Sequence, residues 1–401
     1  MRRREYLALA SASVLATTAG CLGADDGSTG ELRMSRYDPG NTAYVPDGTG
    51  PTDDVTEEWS FTADSSIWAP PAVVDGTVYT ATGDGIVYAL RDGDEEWSFE
   101  ANEGVMTTPA VVDGRIYVAE GWLLDGSTPE QTTIYALDAA DGEMEWEFDP
   151  QEQARIPAVV DGTVYASAGE TVYALDATDG DEEWTFDVEG RAASLPAVAD
   201  GTVFVATTES TVIYALDADT GDERWSVTPT GDEGSFVGAP SVSEETLYLV
   251  FSDGSTATLH AIDTADGEFR WEFEFAGTSA WPAVSEDLVL VGELVAGSEA
   301  GPATCYAIDA ASGDEEWSVE GSVESNQWVA PTVVDETVYS ATFPAPSDDT
   351  GTPTVQALAL DDGTRRWTRD VETDEFLNAS SVVDGTIHVN AGDTLSAYTE
   401  E

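Results

Sequence analysis

Few side chains in this chain could do chemistry. Two His and two Cys occur among 401 residues, so neither a His-rich metal site nor a multi-Cys zinc cluster can be assembled. His260 stands in HAID where other segments read YALD at Tyr135 and Tyr173, and His388 falls where Tyr79 and Tyr117 lie. Both fill an aromatic slot and are read as packing groups rather than acid–base or metal-binding ones. Cys305 precedes Tyr306 as Ile134 precedes Tyr135, which makes it a small buried hydrophobe. Acidic turns such as Asp176-Ala177-Thr178-Asp179-Gly180-Asp181 place carboxylates at offsets of three and five, unlike the alternating ligands of a calcium loop. No G-x-S-x-G, H-E-x-x-H or phosphate-binding Gly loop occurs. The expectation is that the chain has no catalytic residue, no metal site and no cofactor of its own.

What remains is a set of residues that break the surrounding pattern: Trp68, Met106, Arg155, Arg191, Trp281, Asn326, Gln327, Trp328 and Asn378. Each precedes a short apolar strand. Insertions at 121–130, 251–257, 292–303 and 343–353 are expected to emerge on the same face. Aromatic side chains there supply contact area, and Arg155 and Arg191 are rare cations in an acidic molecule. Two uses stay open: a binding surface, or a channel plugged by Trp68 and Trp328.

The elements that must position these residues are repeats. PAVVDGTVY at 71–79 returns as PAVVDGRIY at 109–117 and PAVVDGTVY at 157–165. Weaker copies begin at Pro196, Pro240, Pro282 and Pro331, and an eighth reads SSVVDGTIH at 380–388. A Trp after an acidic turn recurs at Trp59, Trp97, Trp146, Trp184, Trp225, Trp271, Trp317 and Trp367, spanning 308 residues in seven intervals, a mean period of 44. Within a unit, alternating apolar residues and Asp-Gly turns give four antiparallel strands. The unit has no helical periodicity, so a radial array of sheets fits better than a solenoid. The predicted fold is all-β: an eight-bladed β-propeller. The first Trp strand, 57–61, precedes any PAVV copy, and the last copy ends with three strands, so pairing 57–61 with 380–398 would close the ring.

Composition sets the environment. Fourteen Arg and no Lys face 79 acidic residues, giving a net charge of -65. Such a surface repels nucleic acid. Apolar residues at 41% and twelve Trp exclude a disordered acidic chain. The balance reads as salt adaptation, because molar salt screens repulsion within about 3 Å. A folded protein of an extreme halophile, archaeal in character, is expected.

Residues 1–21, MRRREYLALASASVLATTAGC, have a basic start and an apolar stretch too short to span a bilayer. Arg3 and Arg4 with Tyr6 and Leu7 resemble a twin-arginine export signal. Thr18 to Cys21 resembles a lipobox that would acylate Cys21, with Thr18 where Leu is usual; cleavage and release is the alternative. Residues 22–54, rich in Gly, Asp, Ser, Thr and Pro, are expected to be an acidic flexible tether, and 55–401 the propeller.

Ala136-Leu137-Asp138-Ala139-Ala140-Asp141-Gly142-Glu143-Met144-Glu145-Trp146 resembles the tryptophan-docking motif A-x-D-x-x-T-G-x-x-x-W of pyrroloquinoline quinone (PQQ) repeat propellers. Related copies end at Trp184, Trp225, Trp271 and Trp317, and only the copy with Thr220-Gly221 keeps the Thr-Gly pair. The resemblance covers about 57–398 and implies fold more than function. Its two branches are quinoprotein dehydrogenases, which hold quinone and Ca²⁺ on the axis, and noncatalytic lipoproteins such as the propeller subunit of the bacterial outer-membrane barrel-assembly machine. The chain lacks an adjacent Cys-Cys pair and a C-x-x-C-H haem signature, which favours the second branch. The expectation is a monomeric, lipid-anchored binding or assembly scaffold on the outer face of the cytoplasmic membrane, with exported or membrane proteins as partners. A PQQ- and Ca-dependent dehydrogenase is the first alternative, and a surface glycan- or polymer-binding module the second.

Overall fold

The computed structural model describes residues 34 and 36–401 apart from 106, 122–131, 155–156, 193–194, 209, 230–233, 280, 295–301, 322–324, 345–351, 372 and 374–376. The signal-like residues Arg3, Arg4 and Cys21, and the candidates Met106 and Arg155, lie outside the described residues. Among those described, no helix is long and apolar enough to cross a membrane.

The chain is all-β. After β1 (Tyr44–Val45) and β2 (Val55–Thr62), the first repeat unit is a meander of β3 (Ala72–Val74), β4 (Thr77–Ala81), β5 (Ile86–Arg91) and β6 (Asp94–Glu100). The reason is local: Asp75 at φ 51° and Gly76 at φ 73° form the left-handed pair that a tight hairpin demands, and Val73, Val78, Tyr79 and Ala89 are buried, β4 on both of its faces. Six separate four-stranded antiparallel sheets form in this way. Two further units, beginning at Ala283–Val284 and Thr332–Val334, are joined into one eleven-stranded sheet by Ser325–Trp328, which pairs with strands of both. The arrangement of sheets is propeller-like.

The first and last parts of the chain share a sheet. β2 pairs antiparallel with Thr394–Glu400, from Val55↔Glu400 to Thr62↔Thr394, and so becomes the fourth strand of the unit formed by Leu377–Val383, Thr386–Ala391 and Thr394–Glu400.

Every unit carries a register shift just before its Trp, as between Ala174 opposite Trp184 and Leu175 opposite Glu182. A bulge of this kind re-aims the side chain that follows it. The indole then leaves its own sheet and caps the neighbouring one. Trp184 donates Nε1–H to the Ala218 carbonyl at 2.8 Å and lies over Gly221. Trp97, Trp146, Trp225, Trp271 and Trp317 make the equivalent bond to Ala139, Ala177, Thr264, Ala310 and Leu360 at 2.8–3.1 Å. Trp59 packs on Gly93. Tyr117, Tyr165 and Tyr339 send their hydroxyls to the same carbonyls as their partner indoles, so one acceptor fixes two aromatic rings. These contacts bury the seams between sheets and supply most of the inter-unit apolar packing.

Candidate functional site

Part of the expected tether makes specific contacts with the repeat units. Residues 1–33, with the first part of the segment 22–54, are outside the described residues, but Arg36 to Val45 lies against the first strands of successive units. This corrects the expectation that 22–54 has too little apolar surface to order. The contacts are backbone bonds, which need no apolar side chain. Val198 N–H donates to the Pro39 carbonyl, Val242 to Gly40 and Val284 to Thr42, each at 2.7 Å, and Val333 donates to Ala43 at 2.8 Å. All four valines stand two residues after the Pro that opens their repeat. β1 continues the interaction as a parallel partner of Thr332–Val334, with Tyr44↔Val333 and Val45↔Val334.

Three side chains lock the segment. Arg36 is buried, donates to the Pro282 carbonyl and, through Nε, to the Asn41 carbonyl at 3.0 Å, and places its guanidinium 5.9 Å from the Trp281 ring centroid. Burial pulls its pKa down to about 10, against the pull of Asp38. Asn41 donates to the Pro196 and Pro240 carbonyls, both at 3.2 Å. The Tyr37 hydroxyl donates to the Val382 carbonyl at 3.0 Å and accepts from Val382 N–H at 2.7 Å, and burial raises its pKa. Asp38 accepts from Thr42 N–H and Oγ–H, and desolvation still pushes its carboxyl up to about 6. Arg36, Tyr37, Asn41 and Ala43 all have φ between 54° and 75°, a region non-Gly residues enter when surrounding contacts impose it.

The residues expected to form a binding face occupy different settings, and the side chains of Met106, Arg155, Asn326 and Asn378 lie outside the described residues. Trp328 is buried, 1% exposed, and donates to the Ala303 carbonyl at 3.0 Å, so it is a wedge between units rather than contact surface or channel plug. Trp281 is half-buried under Arg36. Arg191 is half-buried and bonded to Gln153 Oε1. Trp68 is half-buried beside the Ile67↔Thr82 bridge, with a buried Nε1 that has no acceptor. Gln327 pairs with Leu294 and Phe343, and the backbones of Asn326 and Asn378 lie in Ser325–Trp328 and Leu377–Val383. Residues 39–43 lie against the first strands of four units, at Val198, Val242, Val284 and Val333.

The remaining reactive groups are structural. His388 stacks 5.7 Å from Trp59, as Tyr79 does on Trp97, and burial lowers its pKa to about 4. His260 lies edge-on to Phe269 and 3.4 Å from Glu272. Cys305 is fully buried, and desolvation beside Glu293 pushes its thiol up to about 12. Two buried carboxylates escaped sequence reasoning. Glu120 accepts from Asn102, Glu103 and Thr133 N–H and from the Tyr135 hydroxyl, and Glu293 from Thr304 N–H and the Tyr306 hydroxyl, all at 2.8–3.0 Å. Glu120 stands just before one insertion and Glu293 at the start of another, and both satisfy the loop backbone where tight hairpins elsewhere use Thr82 or Thr207. A Glu breaking the Val-Ala run at the end of the second strand was the available signal.

A family model described as "Outer membrane protein assembly factor BamB" matches residues 52–167, 130–278 and 255–400. The chain belongs to the PQQ-repeat propeller family. No curated protein matches this chain. Solved structures similar to it include BamB from Moraxella catarrhalis, at 18% identity and TM-score 0.67 over 86% of this chain and 100% of that one. Quinohemoprotein alcohol dehydrogenase from Comamonas testosteroni matches at 16% identity and TM-score 0.71 over 94% and 81%. A europium-containing methanol dehydrogenase matches at 14% and 0.70 over 93% and 99%. At these identities the likeness is one of fold.

Members of this propeller family span noncatalytic and quinone-binding proteins, so the axis decides whether a quinone fits. The inner-strand N–H groups of Val198, Val242, Val284 and Val333 are bonded to residues 39–43, and Arg36 is committed to Pro282 and Asn41. Among the described residues, no group of three or more His, Cys, Asp or Glu converges where it could hold an ion. A quinone in the same place would have to displace residues 39–43 from these N–H groups.

Proposed function

We propose that this protein is a noncatalytic binding or assembly scaffold, exported and anchored through Cys21 at the outer face of the cytoplasmic membrane of a salt-adapted cell. Its repeat units are the eight blades of a ring closed by β2. The observation that carries the reading is the occupation of first-strand edges by Arg36 to Val45, which engages the N–H groups of Val198, Val242, Val284 and Val333. The partners are exported or membrane proteins, and the -65 charge selects against acidic ones. The likeness to BamB supports an assembly role without identifying what is assembled.

A quinone-dependent dehydrogenase is the second reading. It is favoured by the breadth of the fold likeness to a quinohemoprotein alcohol dehydrogenase and by one axial carboxylate of raised pKa, Asp38, beside the Arg36 guanidinium. It requires residues 36–45 to leave the axis. Titrating the exported chain with PQQ and Ca²⁺ in molar KCl, following Trp fluorescence and dye-linked alcohol oxidation, separates the two. The scaffold reading expects no saturable binding and no turnover. Saturable binding with turnover overturns it.

A further inference from the structure

The contacts of residues 36–45 have the character of a bound ligand rather than of a strand in the repeat. We infer that the inner strand edges form a peptide-binding site, occupied in cis by the chain's own Arg36–Val45 and able to take the same segment from a second copy. The inference holds whether or not the propeller is catalytic.

Four features support it. The receptor side is a repeated backbone pattern: the N–H two residues after the opening Pro, at Val198, Val242, Val284 and Val333, meets consecutive parts of one guest that turns on itself before ending in the short strand β1. The same repeat position recurs at Val73, Val111 and Val159. Recognition of this kind adds a chain to exposed strand edges through main-chain bonds, with side chains giving specificity. The specificity is visible in Asn41, which bridges the Pro196 and Pro240 carbonyls of two units, and in Arg36, which reaches Pro282 in a third. The Ser241 hydroxyl, which donates to the Asn41 carbonyl at 2.9 Å, is a receptor-side reader of the same residue.

The guest is also joined to the host at one point that the contacts do not cover. Pro46 and Asp47 are exposed, between the last parallel pair at Val45 and the Thr49 carbonyl, which accepts from Gly385 N–H at 2.9 Å. Cutting there would separate the ligand from its site at the loss of one described hydrogen bond, from Gly48 N–H to the Val45 carbonyl at 3.4 Å. The ligand class is a turn-forming, Gly- and Pro-containing peptide with Arg and Asn five residues apart and Tyr next to the Arg. A negatively charged ring around such a site favours the Arg at its leading end.

The test uses the full chain with a specific protease site inserted between Pro46 and Asp47, in molar KCl. After cleavage, the N-terminal fragment is expected to co-elute with the folded propeller on gel filtration. It should exchange with an excess of fluorescently labelled peptide 34–46, giving saturable anisotropy. An Asn41→Ala peptide, lacking two hydrogen bonds of about 1 kcal/mol each, is expected to bind roughly tenfold or more weakly. A second measurement guards against a cut chain that does not survive. The uncut Arg36→Ala/Asn41→Ala chain should admit the labelled wild-type peptide, while the uncut wild-type chain should not. The inference is overturned if the fragment leaves and the peptide does not bind. It is equally overturned if the fragment never exchanges short of unfolding, or if the uncut double variant folds and takes up no peptide.

Discussion

The Trp367 indole donates to the Pro51 carbonyl at 2.8 Å, joining residues 316 apart in sequence, and the Tyr339 hydroxyl reaches the same oxygen at 3.2 Å. In the other units this acceptor belongs to the Asp-Gly turn before the fourth strand. Here the fourth strand is β2, which has no such turn, and Pro51 takes its place. Trp367→Phe should cost about 1–3 kcal/mol, since a buried acceptor loses a donor and some packing goes with the smaller ring. Urea unfolding of the variant beside Trp97→Phe, whose bond is local to neighbouring units, measures this. Because Pro51 leads into β2, the Trp367 variant should also show faster proteolysis in residues 36–62, which Trp97→Phe should not.

Two turn glycines with similar backbone angles should differ in cost. Gly114, at φ 76°, has nothing within 4 Å of where a Cβ would stand, so Gly114→Ala pays only for the left-handed backbone, about 1 kcal/mol. Gly221, at φ 71°, would place a Cβ 2.6 Å from the Trp184 ring, so Gly221→Ala must also displace the indole. A loss of about 2–4 kcal/mol is expected, with a change in Trp fluorescence that Gly114→Ala lacks. Equal losses would mean that indole docking is not rigid.

Asp38 and His388 should tilt the acid side of the stability profile in opposite directions. Asp38 titrates near 6 in the fold against 3.8 unfolded, so the native state holds the extra proton and Asp38 favours folding as pH falls through 6 toward 4. His388 titrates near 4 against 6.5, so the unfolded state holds the extra proton and stability is lost as pH falls over that window. Asp38→Asn should steepen the acid-side loss, and His388→Phe should flatten it. Each slope change is at most about 1.4 kcal/mol per pH unit, the value for one proton. Urea midpoints at pH 4, 5, 6 and 7 in constant salt give the slopes.

Cys305 should report global unfolding. A thiol that is 0% exposed and pushed up to about 12 supplies almost no thiolate in the fold, so alkylation at pH 8 should wait for unfolding. Mass spectrometry of modified Cys305 against urea should track the Trp fluorescence transition. Labelling well before that transition would reveal local opening between Leu288–Leu294 and Thr304–Asp309.

The blades could be read in the sequence because repetition writes the same side-chain pattern many times. Asp75-Gly76 marks a hairpin wherever it recurs, and Trp184 with Gly221 marks a seam. Sharing of a sheet by β2 and Thr394–Glu400 followed from counting strands at the two ends. The axial segment could not be read in this way. Pro39, Gly40, Thr42 and Ala43 are held by their carbonyl oxygens, which are the same for every residue type, so the composition of a tether and that of a bound strand coincide there. Trp328 and Trp281 depart from the repeat pattern, and in the structure they pack against Gly292 and Arg36.

The pairing of β2 with the final strand also sets an order in time. Thr62 leaves the ribosome 332 residues before its partner Thr394. At ordinary synthesis rates that is on the order of 15–70 s during which β2 has no sheet to join. The intervening units can form as they emerge, but the sheet of Leu377–Val383, Thr386–Ala391 and Thr394–Glu400 gains its fourth strand only when the chain is released. Its completion is thus a post-translational step of very high contact order, and it requires β2 and Thr394–Glu400 to be in the same compartment when they meet.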